Sequence, residues 1–96
     1  MSGWSERKRF TAKVRGRVLG VGFRASAARV GREQGLLGWV RNNEDGGVTV
    51  AAEGEGTAIL NFLQWLDHGP SAARVDGVDV AWEDPTESEG PFSVRR

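Results

Sequence analysis

The chain contains no cysteine among its 96 residues. That excludes a disulfide framework, a thiolate zinc site and a cysteine nucleophile, and it fits the cytoplasm, where we expect the protein to act. Histidine is almost as scarce. His68 is the only one, it falls where a helix should end, and no His or carboxylate cluster with metal-ligand spacing accompanies it. Ser26 has no base partner legible in the sequence. Long apolar runs are missing too: no stretch approaches the roughly 20 residues that span a bilayer, and the segment from Met1 to Lys8 lacks the apolar core of a signal peptide. Net charge is also absent, with 13 Lys and Arg against 13 Asp and Glu, whereas a dedicated nucleic-acid binder is usually strongly basic.

What is present is an ordinary globular composition, 39% apolar and 27% charged, in a chain long enough for one core. We expect a loose tail over residues 1 to 6 and a single domain over residues 7 to 96. The charges are segregated along the chain. Residues 1 to 41 hold ten Lys and Arg against two Asp and Glu, and residues 42 to 96 hold three against eleven. Such halves either form two solvated faces or pair with each other on folding. Arg15, Arg17, Arg24 and Arg41 fall on or near one glycine-rich turn, which would give it a positive field.

Phe10, Ala12 and Val14 alternate with Thr11, Lys13 and Arg15, which predicts a strand from about Arg7 to Arg17. Phe23, Ala27 and Val30 then recur at helical spacing and predict a helix to about Gln34, closed by Gly35 with Leu36 beyond it. Gly31 inside that helix would let it approach the sheet closely. Strands over Leu37 to Asn42 and Val48 to Glu53 flank Asn43-Glu44-Asp45-Gly46-Gly47, a hairpin turn in which Glu44 and Asp45 read as turn residues. Ala58, Ile59, Phe62, Leu63 and Leu66 form the core stripe of a second helix, from about Gly56 to Asp67, stopped by His68-Gly69-Pro70. A strand over Ala73 to Glu83 follows, with Gly77 marking a bulge, and Phe92-Ser93-Val94 make a short last strand with two inward apolar positions. Trp39 and Trp65 read as packing residues, and Trp4 falls in the tail.

The order strand, helix, strand, strand, helix, strand is the split βαβ, ferredoxin-like plan of the α+β class, an antiparallel sheet with two helices on one face. Right-handed, interleaved crossovers give a strand order of 4-1-3-2. That order brings the loop after the first strand near the end of the second, and so Arg24 near Asn42.

The loop itself, Leu19-Gly20-Val21-Gly22-Phe23, joins a strand end to a helix start. Glycines there allow positive φ, so that successive amides can turn toward one point, and the helix adds its unpaired first amides and the positive end of its dipole. Arg24 supplies a planar fork suited to phosphate or carboxylate. The stretch is a candidate anion cradle. Two other readings are open: a simple joining turn, and a dinucleotide fingerprint, since Gly20-x-Gly22-x-x-Ala25 fits G-x-G-x-x-G/A. The latter needs a second parallel strand with an acidic residue at its end, where this chain has a hairpin turn.

Val14 to Arg24, and Gly38-Trp39-Val40-Arg41-Asn42 followed by Gly46, Val48 and Gly54, resemble the two signatures of the acylphosphatase family. The resemblance runs through Gly69-Pro70 to Phe92. It implies metal-independent hydrolysis of acyl phosphates to carboxylate and inorganic phosphate, without cofactor, nucleic-acid or membrane partner, by a monomer. It also implies that Arg24 binds the phosphoryl group, that Asn42 positions the attacking water, and that the amides of Leu19, Gly20, Val21, Gly22 and Phe23 cradle the phosphate. The family usually has glutamine where this chain has Leu19. Because the phosphate contacts are expected from backbone amides, the change should alter rate or loop stability without removing function. A phosphate or carbamoyl phosphate sensor, or an RNA-binding module on the same fold, is the alternative.

Overall fold

The computed structural model describes residues 6–87 and 89–96. Strand β1 (Arg7–Arg17), helix α1 (Phe23–Glu33), strands β2 (Leu37–Asn42) and β3 (Val48–Glu55), helix α2 (Gly56–Leu66), strand β4 (Arg74–Glu83) and the short strand β5 (Ser93–Val94) follow in that order. Most of the expected tail, with Trp4, lies outside the described residues. Glu6 is described, and its carbonyl accepts a hydrogen bond from the Gly56 amide at 2.9 Å.

The sheet order is β4-β1-β3-β2-β5, which contains the expected 4-1-3-2. Its description as antiparallel needs correction. β5 runs parallel to β2, with Trp39 opposite Ser93 and Val40 opposite Val94, so the sheet is mixed. The chain leaves β4 at one edge, crosses the face that carries no helices and reaches the far edge already running in the direction of β2. A second correction concerns Val94, expected inward but 43% exposed. The bulge expected at Gly77 lies beside it: the β1–β4 register shifts between Arg15, paired with Gly77, and Gly16, paired with Val75.

One face of the sheet is apolar because alternation puts it there. Phe10, Ala12 and Val14 of β1 lie beside Ala52, Val50 and Val48 of β3, and all six are buried. Against them α1 buries Phe23 and Ala27, and α2 buries Ile59, Phe62 and Leu66. Helix α1 ends as its sequence demands. The Gly35 amide donates to the Arg32 carbonyl and the Leu36 amide to the Gly31 carbonyl, the paired bonds of a Schellman motif, and Leu36 is buried. Gly31 makes room for a different neighbour from the one expected. A Cβ there would come within 2.7 Å of the Phe92 ring, so the missing side chain admits the C-terminal aromatic rather than the sheet. Phe92 then meets Phe62 edge to face, with ring centroids 5.3 Å apart.

The opposite face is held by charge. Glu53 of β3 is fully buried there, accepting hydrogen bonds from the Thr86 amide (3.0 Å), the Thr86 hydroxyl (3.2 Å), the Glu87 amide (2.8 Å) and the Arg7 guanidinium (3.2 Å). Arg9 bridges Glu53, Glu83 and Glu89. The cations of the first half thus pair with the carboxylates of the second. Burial pushes the Glu53 carboxyl up, but the two amides, the hydroxyl and Arg7 outweigh it and hold it at about 2, against an ordinary 4.5. Its charged form therefore stabilises the fold above pH 4.5, and that contribution is lost as the pH falls toward 2. A shift of this size is worth on the order of 3 kcal/mol. We predict that Glu53→Gln lowers unfolding stability by a similar amount at pH 7, and that the gap to wild type narrows between about pH 5 and pH 2. Urea unfolding across that range checks it; curves that stay parallel would contradict the assignment.

Candidate active site

Strands β1 and β2 both run antiparallel to β3, so they are parallel to each other and end at the same edge of the sheet. The turn after β1 and the last residue of β2, Asn42, meet there. Gly20 and Gly22 take φ values of 70° and 73°, in the left-handed region that side chains disfavour. Gly22 is the N-cap of α1 and offers no side-chain cap. The first intrahelical bond runs from the Ser26 amide to the Gly22 carbonyl at 3.0 Å. The amides of Phe23, Arg24 and Ala25 therefore precede the helical ladder, at the positive end of the helix dipole.

These groups line one cavity of about 220 Å³. Its walls are Val18, Gly20 and Gly22 of the turn, Phe23, Arg24 and Ala25 of the first helical turn, and Asn42 and Val94 at the ends of the neighbouring strands. Arg24 is half-buried, and its Nη1 donates a long 3.5 Å hydrogen bond to the Arg95 carbonyl. Asn42 is exposed, directly before a tightly bonded hairpin. There the Asn43 amide donates to the Gly47 carbonyl at 2.8 Å, the Thr49 hydroxyl to the Asn43 side-chain oxygen at 2.7 Å, and the Gly47 amide to Asp45 at 2.9 Å. Larger hollows of about 310 and 530 Å³ lie beside it on the open face. Neither contains a helix start, and the second shares only Asn42 with the smaller cavity.

Of the residues singled out in the sequence, Gly20, Gly22, Phe23, Arg24 and Asn42 come together at this cavity. Leu19 and Val21 belong to the same turn but do not line it. Leu19 is 41% exposed, and Val21 packs against the core. The reading missed Val18, Ala25 and Val94. Ala25 was within reach, since its amide is among the helix's first. Val94 was not, because its place depends on the parallel pairing of β5. The expected ring of arginines is thinner than four. Arg15 is engaged by Asp79 on β4 at 2.9 Å, and Arg41 lies over the Trp39 ring, 5.3 Å from its centroid.

The residues read as structural behave so. His68 is exposed, its Nδ1 2.9 Å from the Gln64 carbonyl. Glu44 and Asp45 sit in the hairpin turn. Trp65 packs on Phe23 and Phe62, and Trp39 lies on the open face with its indole N–H donating to Glu89. Among the described residues no group of three or more His, Asp or Glu side chains is assembled that could hold a metal ion.

The fold and the cavity define a class: a small ferredoxin-like domain whose strand-to-helix turn sets the first residues of a helix and an arginine beside a carboxamide. Comparison with known proteins narrows it. The acylphosphatase family model matches residues 10–94. The chain is 53% identical to an acylphosphatase of Roseiflexus sp. over 84% of its length and 87% of the relative's. It is 50% identical to one of Anaeromyxobacter dehalogenans over 95% and 98%. The crystal structure of acylphosphatase from Bacillus subtilis superposes with a TM-score of 0.89 at 31% identity, covering 93% of this chain and 99% of that one. The chain belongs to the acylphosphatase family.

Among the described residues a Cβ at Gly22 would meet nothing within 4 Å, so its φ of 73°, and not crowding, is what disfavours a side chain there. We predict that Gly22→Ala costs about 1 kcal/mol in urea unfolding and Gly22→Asn less. Equal stability for glycine and alanine would show that the turn does not hold the left-handed conformation.

Proposed function

We propose that this cavity hydrolyses acyl phosphates, with the turn and Arg24 holding the phosphoryl group and Asn42 holding water. The observation that supports this most is that uncapped helix amides, a guanidinium and a carboxamide share the walls of one small cavity. Amides and guanidinium supply fixed donors where charge is spread over the phosphoryl oxygens, so little reorganisation is needed during reaction. The water oxygen forms a bond to phosphorus while the bond from phosphorus to the acyl oxygen breaks. The carboxylate departs with the electron pair, and the water proton passes to a phosphate oxygen. Since a carboxylate needs little protonation to leave, positioning and charge stabilisation carry the step and no side-chain base is required.

The reading includes a monomer acting in the cytoplasm on small molecules. Among the described residues no helix is long and apolar enough to cross a membrane. Nothing observed favours a non-catalytic module. Of the two strand aromatics an RNA module would use, Trp39 has its N–H bonded to Glu89 and two arginines over its ring, and Trp82, opposite Phe10 on β1, sets its ring edge-on to that of Phe10 with centroids 6.0 Å apart.

Release of inorganic phosphate from acetyl phosphate in the presence of a metal chelator tests the activity, and wild-type protein is expected to turn over. Arg24→Ala should lose at least about a hundredfold in kcat and most phosphate affinity, the scale of removing a transition-state donor. Asn42→Ala should lose a comparable share of kcat while phosphate binding, read by calorimetry, changes little. Wild-type rates in either variant would remove that residue from the mechanism.

A further inference from the structure

In-line attack fixes where the acyl group must lie. Water held by Asn42 and the departing carboxylate oxygen stand on opposite sides of phosphorus. Asn42 ends β2 and the glycine turn follows β1, with β3 between these two strands. The acyl group therefore leaves on the side of the turn. Leu19 stands there, between Val18 and Gly20, both of which line the cavity. An exposed leucine alone carries no information. Its neighbours give it content: Val18 is buried and Val21 packs against the core, so Leu19, 41% exposed, is the large apolar side chain that the turn leaves open to solvent.

We infer that Leu19 is a specificity-determining residue for the acyl group, giving this chain a preference for acyl phosphates with apolar tails. The inference rests on the reading of the cavity given above. Contact with a half-covered leucine removes only part of each methylene from water. Full burial is worth about fourfold per methylene, so about twofold is expected here. The contact is present before and during reaction alike, and should lower KM more than it raises kcat.

Acetyl, butyryl and hexanoyl phosphates test this, because straight-chain carboxylates are of nearly equal acidity and lengthening them changes contact without changing the leaving group. For wild type, kcat/KM should rise about twofold per methylene. The dependence on chain length should flatten in Leu19→Gln and Leu19→Ser and persist in Leu19→Met, whatever each does to the rate on acetyl phosphate. A flat series in wild type, or an unchanged slope in both polar variants, overturns the inference while leaving hydrolysis in place. Failure of wild type to hydrolyse acetyl phosphate would instead remove the reading of the cavity, and the inference with it.

Discussion

Two parallel strands that are not neighbours, with a third strand between them, are the constraint on which this molecule depends. β1 and β2 cannot be joined by a tight turn, because parallel strands need a crossover long enough to return the chain to the starting edge. Helix α1 is that crossover. Its start must then lie where β1 ends, which is the edge where β2 also ends. The proximity of Arg24 and Asn42, 18 positions apart in sequence, follows from connectivity before any side chain is considered. Glycine at the corner lets the turn into α1 adopt positive φ, and it leaves the first amides of the helix without a side-chain cap.

The C-terminal segment fastens this frame from both sides of the sheet. On the helix side, Phe92 enters the space left by Gly31, and a Cβ at Gly38 would stand 3.0 Å from its ring. On the other side, the segment after β4 is tied by its amides to the buried carboxylate of Glu53. Between these anchors β5 docks on β2, and Val94 reaches the cavity wall. An apolar wedge and a buried ion network thus act on the same stretch of chain. The charge segregation is explained by the same contacts, since Arg7, Arg9 and Arg15 find Glu53, Glu83, Glu89 and Asp79.

The architecture was legible because its signals are periodic. Alternation in β1 and the stripe of α2 each span enough residues to show a repeat, Gly35 marks where α1 stops, and crossover handedness then orders the four long strands. Arg24 and Asn42 could be paired from that order alone. The parallel docking of β5 could not be read, since two residues have no period. Glu53 follows Val48, Val50 and Ala52 on the alternate face of its strand, and nothing in the sequence marks it as buried. Its burial depends on residues 33 and 34 places further on, and only the folded chain brings them near. Arg15 was drawn toward the cradle by sequence proximity, whereas its guanidinium meets Asp79 across the strand pair.

The missing cap of α1 has a thermodynamic side. With glycine as its cap, a helix start without a side-chain acceptor forgoes roughly a few tenths of a kcal/mol relative to serine or aspartate. On the proposed reading, an oxyanion takes that role whenever one is bound, so product and substrate both act as the absent capping group. Occupancy then adds to the folding free energy by mass action. On that reading the choice of buffer enters any melting temperature recorded for this protein, and values taken in phosphate and in a non-coordinating amine buffer would describe two different liganded states of the same chain.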